Sequence, residues 1–431
     1  MKSITSKVIL ILIGAALIVS NIFFLVRNTL LLEDHDNANL LLTTSPIPTT
    51  IPLWTYSPGT QSVNEVAISS DGSHISALSY ISFSGIDGTL SVLNNTHTTL
   101  KRPMWNYSIS EVFSSIAISA NGSYIAVGGG YDDKGVYLFN NSGSVPIWTN
   151  ITDGWIYSIA ISDDGSYIAA ASGSSKVFFF NYASSIPLWE APTSGLALKV
   201  EISSDGNYIA AADNAGNLYF FNKMSSTPLW TFSIIDASIT SLSMSDDGSY
   251  IVIADENYGR MYLFHRGSSI PIWMYNFNQA IESIKFSPEG NFIVVGCLNG
   301  DIFLFNRFFS FPIWTSSIGQ PLYLVDISFN GGYIVAQNRG REVYLFNTKQ
   351  TKPIWKYLLE SAPGPQPSTS LDMSLNGKYI VSGCGYNVYL FDRDIIIDGN
   401  YIIISESIIL IITGILAFIS IIVFIKKIQI R

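Results

Sequence analysis

Residues 156–189 read IYSIAISDDGSYIAAASGSSKVFFFNYASSIPLW. Ile159 and Ile161 alternate with small residues, and Asp164-Gly165 supplies a tight turn. Tyr167–Ala170 is a second apolar run, Val177–Phe180 a third, and Pro187-Leu188-Trp189 closes the stretch. Short apolar runs bounded by turn residues are strand signals, so the stretch predicts four short strands.

The same stretch recurs. Proline two positions ahead of tryptophan is found at Pro52/Trp54, Pro103/Trp105, Pro146/Trp148, Pro187/Trp189, Pro228/Trp230, Pro271/Trp273, Pro312/Trp314 and Pro353/Trp355. After the first step the tryptophans are spaced 41 or 43 residues apart. The turn recurs too, from Asp71-Gly72 through Asp205-Gly206 to Asn376-Gly377, because a hairpin of this kind wants a residue at positive φ. So does the third strand, as in Val136-Tyr137-Leu138-Phe139 and Val388-Tyr389-Leu390-Phe391. Apolar residues on both faces of that strand predict burial on both faces, as in a blade stacked between two others. A four-stranded unit of about 40–45 residues is the period of a β-propeller.

The run SIAISDDGSYIAAAS followed by KVFFFN resembles the first three strands of a WD-repeat propeller blade. VYLFNNSGSVPIW resembles the repeat of quinoprotein-like (PQQ-like) propellers, in which a tryptophan follows that strand. The resemblance implies an all-β fold over residues 52–392. It implies no particular activity, since the Gly-His dipeptide of WD repeats is absent and their Trp-Asp position reads Phe-Asn, Phe-His or Phe-Asp. One Pro-x-Trp motif precedes the first three-strand set and none follows the last. The strand at Trp54 therefore completes the blade of residues 370–392, giving eight blades closed three strands plus one and no open edge.

Two apolar runs flank the repeat, Val8–Val26 and Ser407–Ile425. At ~1.5 Å per residue each nearly matches a ~30 Å hydrocarbon layer, so both read as transmembrane helices, the first as an uncleaved signal anchor. Lys2, Lys7, Lys426, Lys427 and Arg431 on the outer flanks predict cytoplasmic termini and an extracellular propeller at the plasma membrane. The expected organisation is helix 8–26, stalk 27–51, propeller 52–392, linker 393–406, helix 407–425 and cytoplasmic tail 426–431.

The chain carries a formal net charge of −9, and all 32 acidic residues lie between the two apolar runs. Nucleic acid is therefore not an expected partner. Cys297 and Cys384 fall at equivalent positions of non-adjacent repeats and predict buried thiols rather than a disulfide. Asn94, Asn106, Asn121, Asn140 and Asn150 are glycosylation sequons. Four scattered histidines and no nucleophile or metal-ligand motif predict neither catalytic residues, nor metal, nor cofactor. Acidic loops at Tyr131-Asp132-Asp133 and Asp255-Glu256-Asn257 read as solvated charge.

Two departures from the repeat suggest sites. The residue between the two apolar positions of the innermost strand is alanine in the first three blades, then Glu201, Ser243, Lys285, Asp326 and Asp372. Glu201, Lys285, Asp326 and Asp372 are expected to meet around a central channel, as an interblade network or as a polar ligand site. Trp155, the one tryptophan outside the motif, is placed on a loop of one face, with Tyr157, Tyr275 and Tyr323 in comparable loops as binding anchors. The expected function is a membrane-anchored, non-enzymatic binding or scaffold module that meets a protein or glycan through a loop face. A quinoprotein-like oxidoreductase binding pyrroloquinoline quinone and a structural envelope protein are the alternatives.

Overall fold

The structure is a computed structural model and describes residues 47–81, 86–96, 101–255, 258–360, 369–398 and 401–404. Eight four-stranded antiparallel sheets follow one another in the chain. In blade 3 the strands are Ile156–Ile161, Tyr167–Ser172, Lys176–Asn181 and Trp189–Pro192, here called a to d. The a strands of successive blades touch one another in order around a ring, which places them at the axis. The ring closes as expected. Trp54–Tyr56 pairs with Asn387–Asp392, Trp54 opposite Leu390, as strand d of blade 8.

The turn between strands a and b explains why the repeat tolerates so little variation. A buried serine precedes it in every blade, at Ser69, Ser119, Ser162, Ser203, Ser245, Ser287, Ser328 and Ser374. In blade 4 the Ser203 hydroxyl donates to Asp205 Oδ1 (2.7 Å) and accepts from the Tyr208 backbone N–H (3.0 Å). The Gly206 N–H donates to the Ser203 carbonyl at 2.8 Å. Gly206 has φ 69°, and a Cβ there would come within 2.4 Å of the Tyr167 ring in the preceding blade. The turn thus needs glycine for its dihedral and for blade packing. Ser203→Ala is expected to cost about 1–2 kcal/mol by orphaning the Tyr208 N–H, read as a lower urea midpoint with unchanged m-value.

The Pro-x-Trp motif opens strand d at the periphery. Trp189 stacks on Phe179 of its own blade (5.0 Å) and packs against Phe221 of the next (5.3 Å). Its indole N–H donates to the Lys223 carbonyl at 2.9 Å, and Trp105, Trp148, Trp230, Trp273 and Trp355 make the equivalent bond to the following blade. The motif is an interblade staple. The residue between proline and tryptophan points outward and is exposed in Met104, Ile147, Leu188, Leu229, Ile272 and Ile313.

Blade 7 differs because the chain covers its own edge. The Lys356 N–H donates to the Pro48 carbonyl (2.9 Å), and Thr49 and Ile397 exchange backbone hydrogen bonds of 2.9 and 2.7 Å. Ile397 belongs to a hairpin of Ile395–Asp398 and Tyr401–Ile404, within the stretch expected to be a linker. The two ends of the propeller segment therefore lie together at one edge.

The plasma-membrane location, with an extracellular propeller and cytoplasmic termini, is corrected. It rested on flanking segments 8–26 and 407–425, which lie outside the described residues. Among the described residues no helix is long and apolar enough to cross a membrane.

Candidate functional site: a layered channel and its two faces

Because strand residues alternate sides, every second residue of strand a faces the axis. In blades 1 to 7 the strand carries a β-bulge near its start, at Asn64, Ser114, Tyr157, Leu198, Thr240, Glu282 and Tyr323. Bulges re-aim side chains, and here they turn seven residues toward the rim of one face.

The next layer joins the blades. Ser370 accepts from Val66 N (2.8 Å), Ser115 from Ile159 N (3.2 Å), Ser158 from Val200 N (3.3 Å), Ser241 from Ile284 N (3.1 Å) and Ser283 from Val325 N (3.3 Å). Glu65 takes the serine's place in blade 1 and accepts from Ile116 N at 3.0 Å. Lys199 and Leu324 hold the position in blades 4 and 7 and offer no acceptor.

One layer deeper lie Glu201, Lys285, Asp326 and Asp372. The Asp326 and Asp372 carboxyls hydrogen-bond each other, so one proton is shared between them. Asp372 also accepts from Ile68 N and Met373 N, both at 2.9 Å, while Asp326 accepts from Ile327 N at 2.8 Å. With two backbone donors against one, Asp372 is the easier of the pair to ionise. Burial pushes both, and Glu201, above the ordinary carboxylate range. Burial also pushes Glu65 up, to about 7, against the opposing pull of Lys199 and the Ile116 N–H. Burial disfavours the Lys285 charge, but Glu201, Asp326, Asp372 and Glu65 more than offset it and raise its pKa. Lys285 makes no ion pair closer than 4 Å among the described residues, and its side chain is solvent-accessible in the lumen. Sequence reading missed Glu65 because it sits two residues before the position that varies. Serine at that register in neighbouring blades was the available signal.

The aromatic residues divide. Trp155 stacks on Tyr157 with centroids 4.9 Å apart, and Tyr131 meets its edge at 6.4 Å. The three form a cluster on the face made by the d–a and b–c connections. Tyr131 is 70% exposed, and the buried Trp155 indole nitrogen has no hydrogen-bond partner among the described residues. Tyr157 and Tyr323 lie on inner strands rather than loops, Tyr323 beneath the Arg339 guanidinium at 4.8 Å. Tyr275 is also not in a loop. Strand d continues past Trp273, and Tyr275 packs inward on Phe277 and Phe305.

Of the sequon asparagines, Asn106 and Asn121 are exposed, Asn94 and Asn140 are half-buried, and the Asn150 amide donates to the Ser185 carbonyl at 2.8 Å. In the acidic loops the expectation of solvated charge fails at Asp255, which is buried, while Glu256 and Asn257 lie outside the described residues. Asp133 accepts from Tyr137 Oη at 2.6 Å, and Asp255 pairs with Arg260 at 2.8 Å. Among the described residues no group of three or more His, Cys, Asp or Glu is placed to hold a metal ion. Cys297 and Cys384 are free and buried.

Residues 145–181 and 271–306 match the WD domain, G-beta repeat. Two segments of this propeller thus resemble WD repeats in sequence. Each spans strand d of one blade and strands a to c of the next, the same offset that closes the ring. The crystal structure of Chaetomium thermophilum Sqt1 is similar in fold, with a TM-score of 0.69 and 13% identity over 80% of this chain and 98% of that one. Chaetomium thermophilum Sqt1 bound to the N-terminus of the ribosomal protein L10 gives a TM-score of 0.68 and 14% identity over 80% and 100%. A comparison with curated proteins finds no match.

Proposed function

We propose that this propeller is a non-enzymatic scaffold that binds a protein partner on the face of its d–a and b–c connections, with Trp155 as anchor. The observation that carries the reading is the Tyr131–Trp155–Tyr157 cluster. It offers large rigid aromatic area on one face, with Tyr131 70% exposed, the composition of an interface hot spot. That a similar propeller is seen bound to the N-terminus of a ribosomal protein supports a peptide segment as the kind of partner. The eight motif tryptophans belong to the periphery, which weighs against a quinone stacked on them over the channel.

The test is affinity capture after crosslinking, comparing the wild-type chain with Trp155→Ala. A discrete partner should be recovered with the first and lost with the second, while the melting temperature stays within about 3 °C, since the ring is half-exposed. Identical recovery with both would remove Trp155, and with it this face.

A further inference from the structure

On the opposite face the eight blades are tied by a closed circle of backbone hydrogen bonds. It runs from Ser70 to Ala120, Asp163, Ser204 and Asp246, on through Pro288 and Glu289 to Phe329 and Leu375, and back to Ser70, at 2.8–3.2 Å. This circle frames a channel mouth. A cavity of about 630 Å³ opens there against Ser70, Ala120, Phe329 and Leu375, edged by Asp71 and Asn330. Phe329 is 42% and Leu375 36% exposed, an unusual display for large apolar side chains at a channel opening.

Across the mouth the same circle positions are Asp163, Ser204 and Asp246. The circle of backbone hydrogen bonds sets Asp163 and Asp246 at positions equivalent to Phe329 and Leu375, and burial and the charges of Asp163, Glu201 and Asp247 all raise the Asp246 pKa, while Asp163 is hydrogen-bonded by Ser204. In the deeper layers the acids are accompanied by bases, with Glu65 near Lys199 and Lys285 among Glu201, Asp326 and Asp372. At the mouth they are not. Neither Asp163 nor Asp246 is in an ion pair among the described residues.

We infer that this mouth is a second binding site, which takes a lysine or arginine side chain presented by a partner protein. An aliphatic stem lies against Phe329 and Leu375 while the cationic head reaches Asp163 and Asp246. Long basic side chains are the natural occupants of a site half apolar and half acidic, because they bury their stems and keep their charge on the polar side. Burial, then the Asp163 charge, pushes Asp246 up to about 6, which gives the binding its pH dependence: the cation binds more weakly below that value.

The inference concerns the face away from Trp155, so the two can fail separately. Fluorescence anisotropy with a labelled Gly-Gly-Arg-Gly-Gly peptide and its glutamate counterpart, at low salt and pH 7.5, tests it. The arginine peptide should bind and the glutamate peptide should not. Asp163→Asn/Asp246→Asn should weaken binding roughly tenfold or more, and lowering the pH to 5 should do the same to the wild type. Phe329→Ser should weaken it several-fold, and Trp155→Ala should leave it unchanged. The double variant removes mutual repulsion and should keep its melting temperature, so loss of binding there is not loss of fold. Equal binding of the two peptides, wild-type binding by the double variant, or no binding at millimolar protein each overturns the site.

Discussion

Trp355→Ala should be the most destabilising of the eight motif-tryptophan substitutions, by about 3–5 kcal/mol. Trp355 is fully buried and lies among Leu345, Leu359, Ile380 and Phe391, the Phe391 ring at 5.7 Å. Its indole N–H donates to the Arg393 carbonyl at 3.1 Å, joining blade 7 to the blade that closes the ring. The substitution leaves a cavity, an unpaired carbonyl and a weakened seam next to the three-plus-one closure. In a closed ring such a seam is shared by every blade, so the loss should appear as one cooperative shift of the urea midpoint rather than a separate early transition. Trp148 makes the same bond in an exposed setting, and Trp148→Ala should cost about half as much. Trp355→Phe should restore most of the packing and lack only the hydrogen bond, about 1 kcal/mol. Equal losses for Trp355→Ala and Trp148→Ala would show that burial at the seam does not set the cost.

The blade count, strand order and closure were legible in the sequence, because period, turn glycine and apolar run each recur with every blade and agree. The staple role of the tryptophans followed from their position at strand d. What each indole donates to was not legible, since the acceptor is a backbone carbonyl of the next blade and carries no residue preference. The turn serines were overlooked for a related reason. Serine is common throughout the chain, and only burial distinguishes Ser203 from its exposed neighbours. Tyr275 was misplaced because strand d outlasts its tryptophan by several residues, and a tyrosine there alternates inward onto Phe305 rather than leaving on a loop. The bulges of strand a were invisible as well. They insert one residue without a glycine to mark it, and they decide that Tyr157 and Tyr323 reach the rim. Membrane placement came from the flanks alone, and nothing in the described blades carries it.

Glu65→Gln is expected to raise stability at the alkaline end of the pH range and to leave it unchanged at the acidic end. In the fold, burial dominates and lifts the Glu65 pKa from the usual 4.5 to about 7, so the folded protein binds this proton more readily than the unfolded chain. Stability contributed by the protonated form is complete below about pH 4.5, falls as the pH rises toward 7 and stays low above it. A displacement of that size corresponds to roughly 3 kcal/mol at most. Glutamine remains neutral, and its amide oxygen can still accept from the Ile116 N–H that now lies 3.0 Å from the carboxylate. At pH 8 the variant should therefore be more stable than the wild type by up to about 3 kcal/mol, and at pH 4 the two should coincide. Asp246, Asp326 and Asp372 also have raised pKa values and remain, so the pH slope should flatten without vanishing. Urea midpoints at half-unit steps between pH 4 and pH 8 measure the difference directly. Parallel profiles for the two proteins would mean that Lys199 and Lys285 hold Glu65 ionised throughout, and that the upper channel is a charge-paired seam rather than a protonated one.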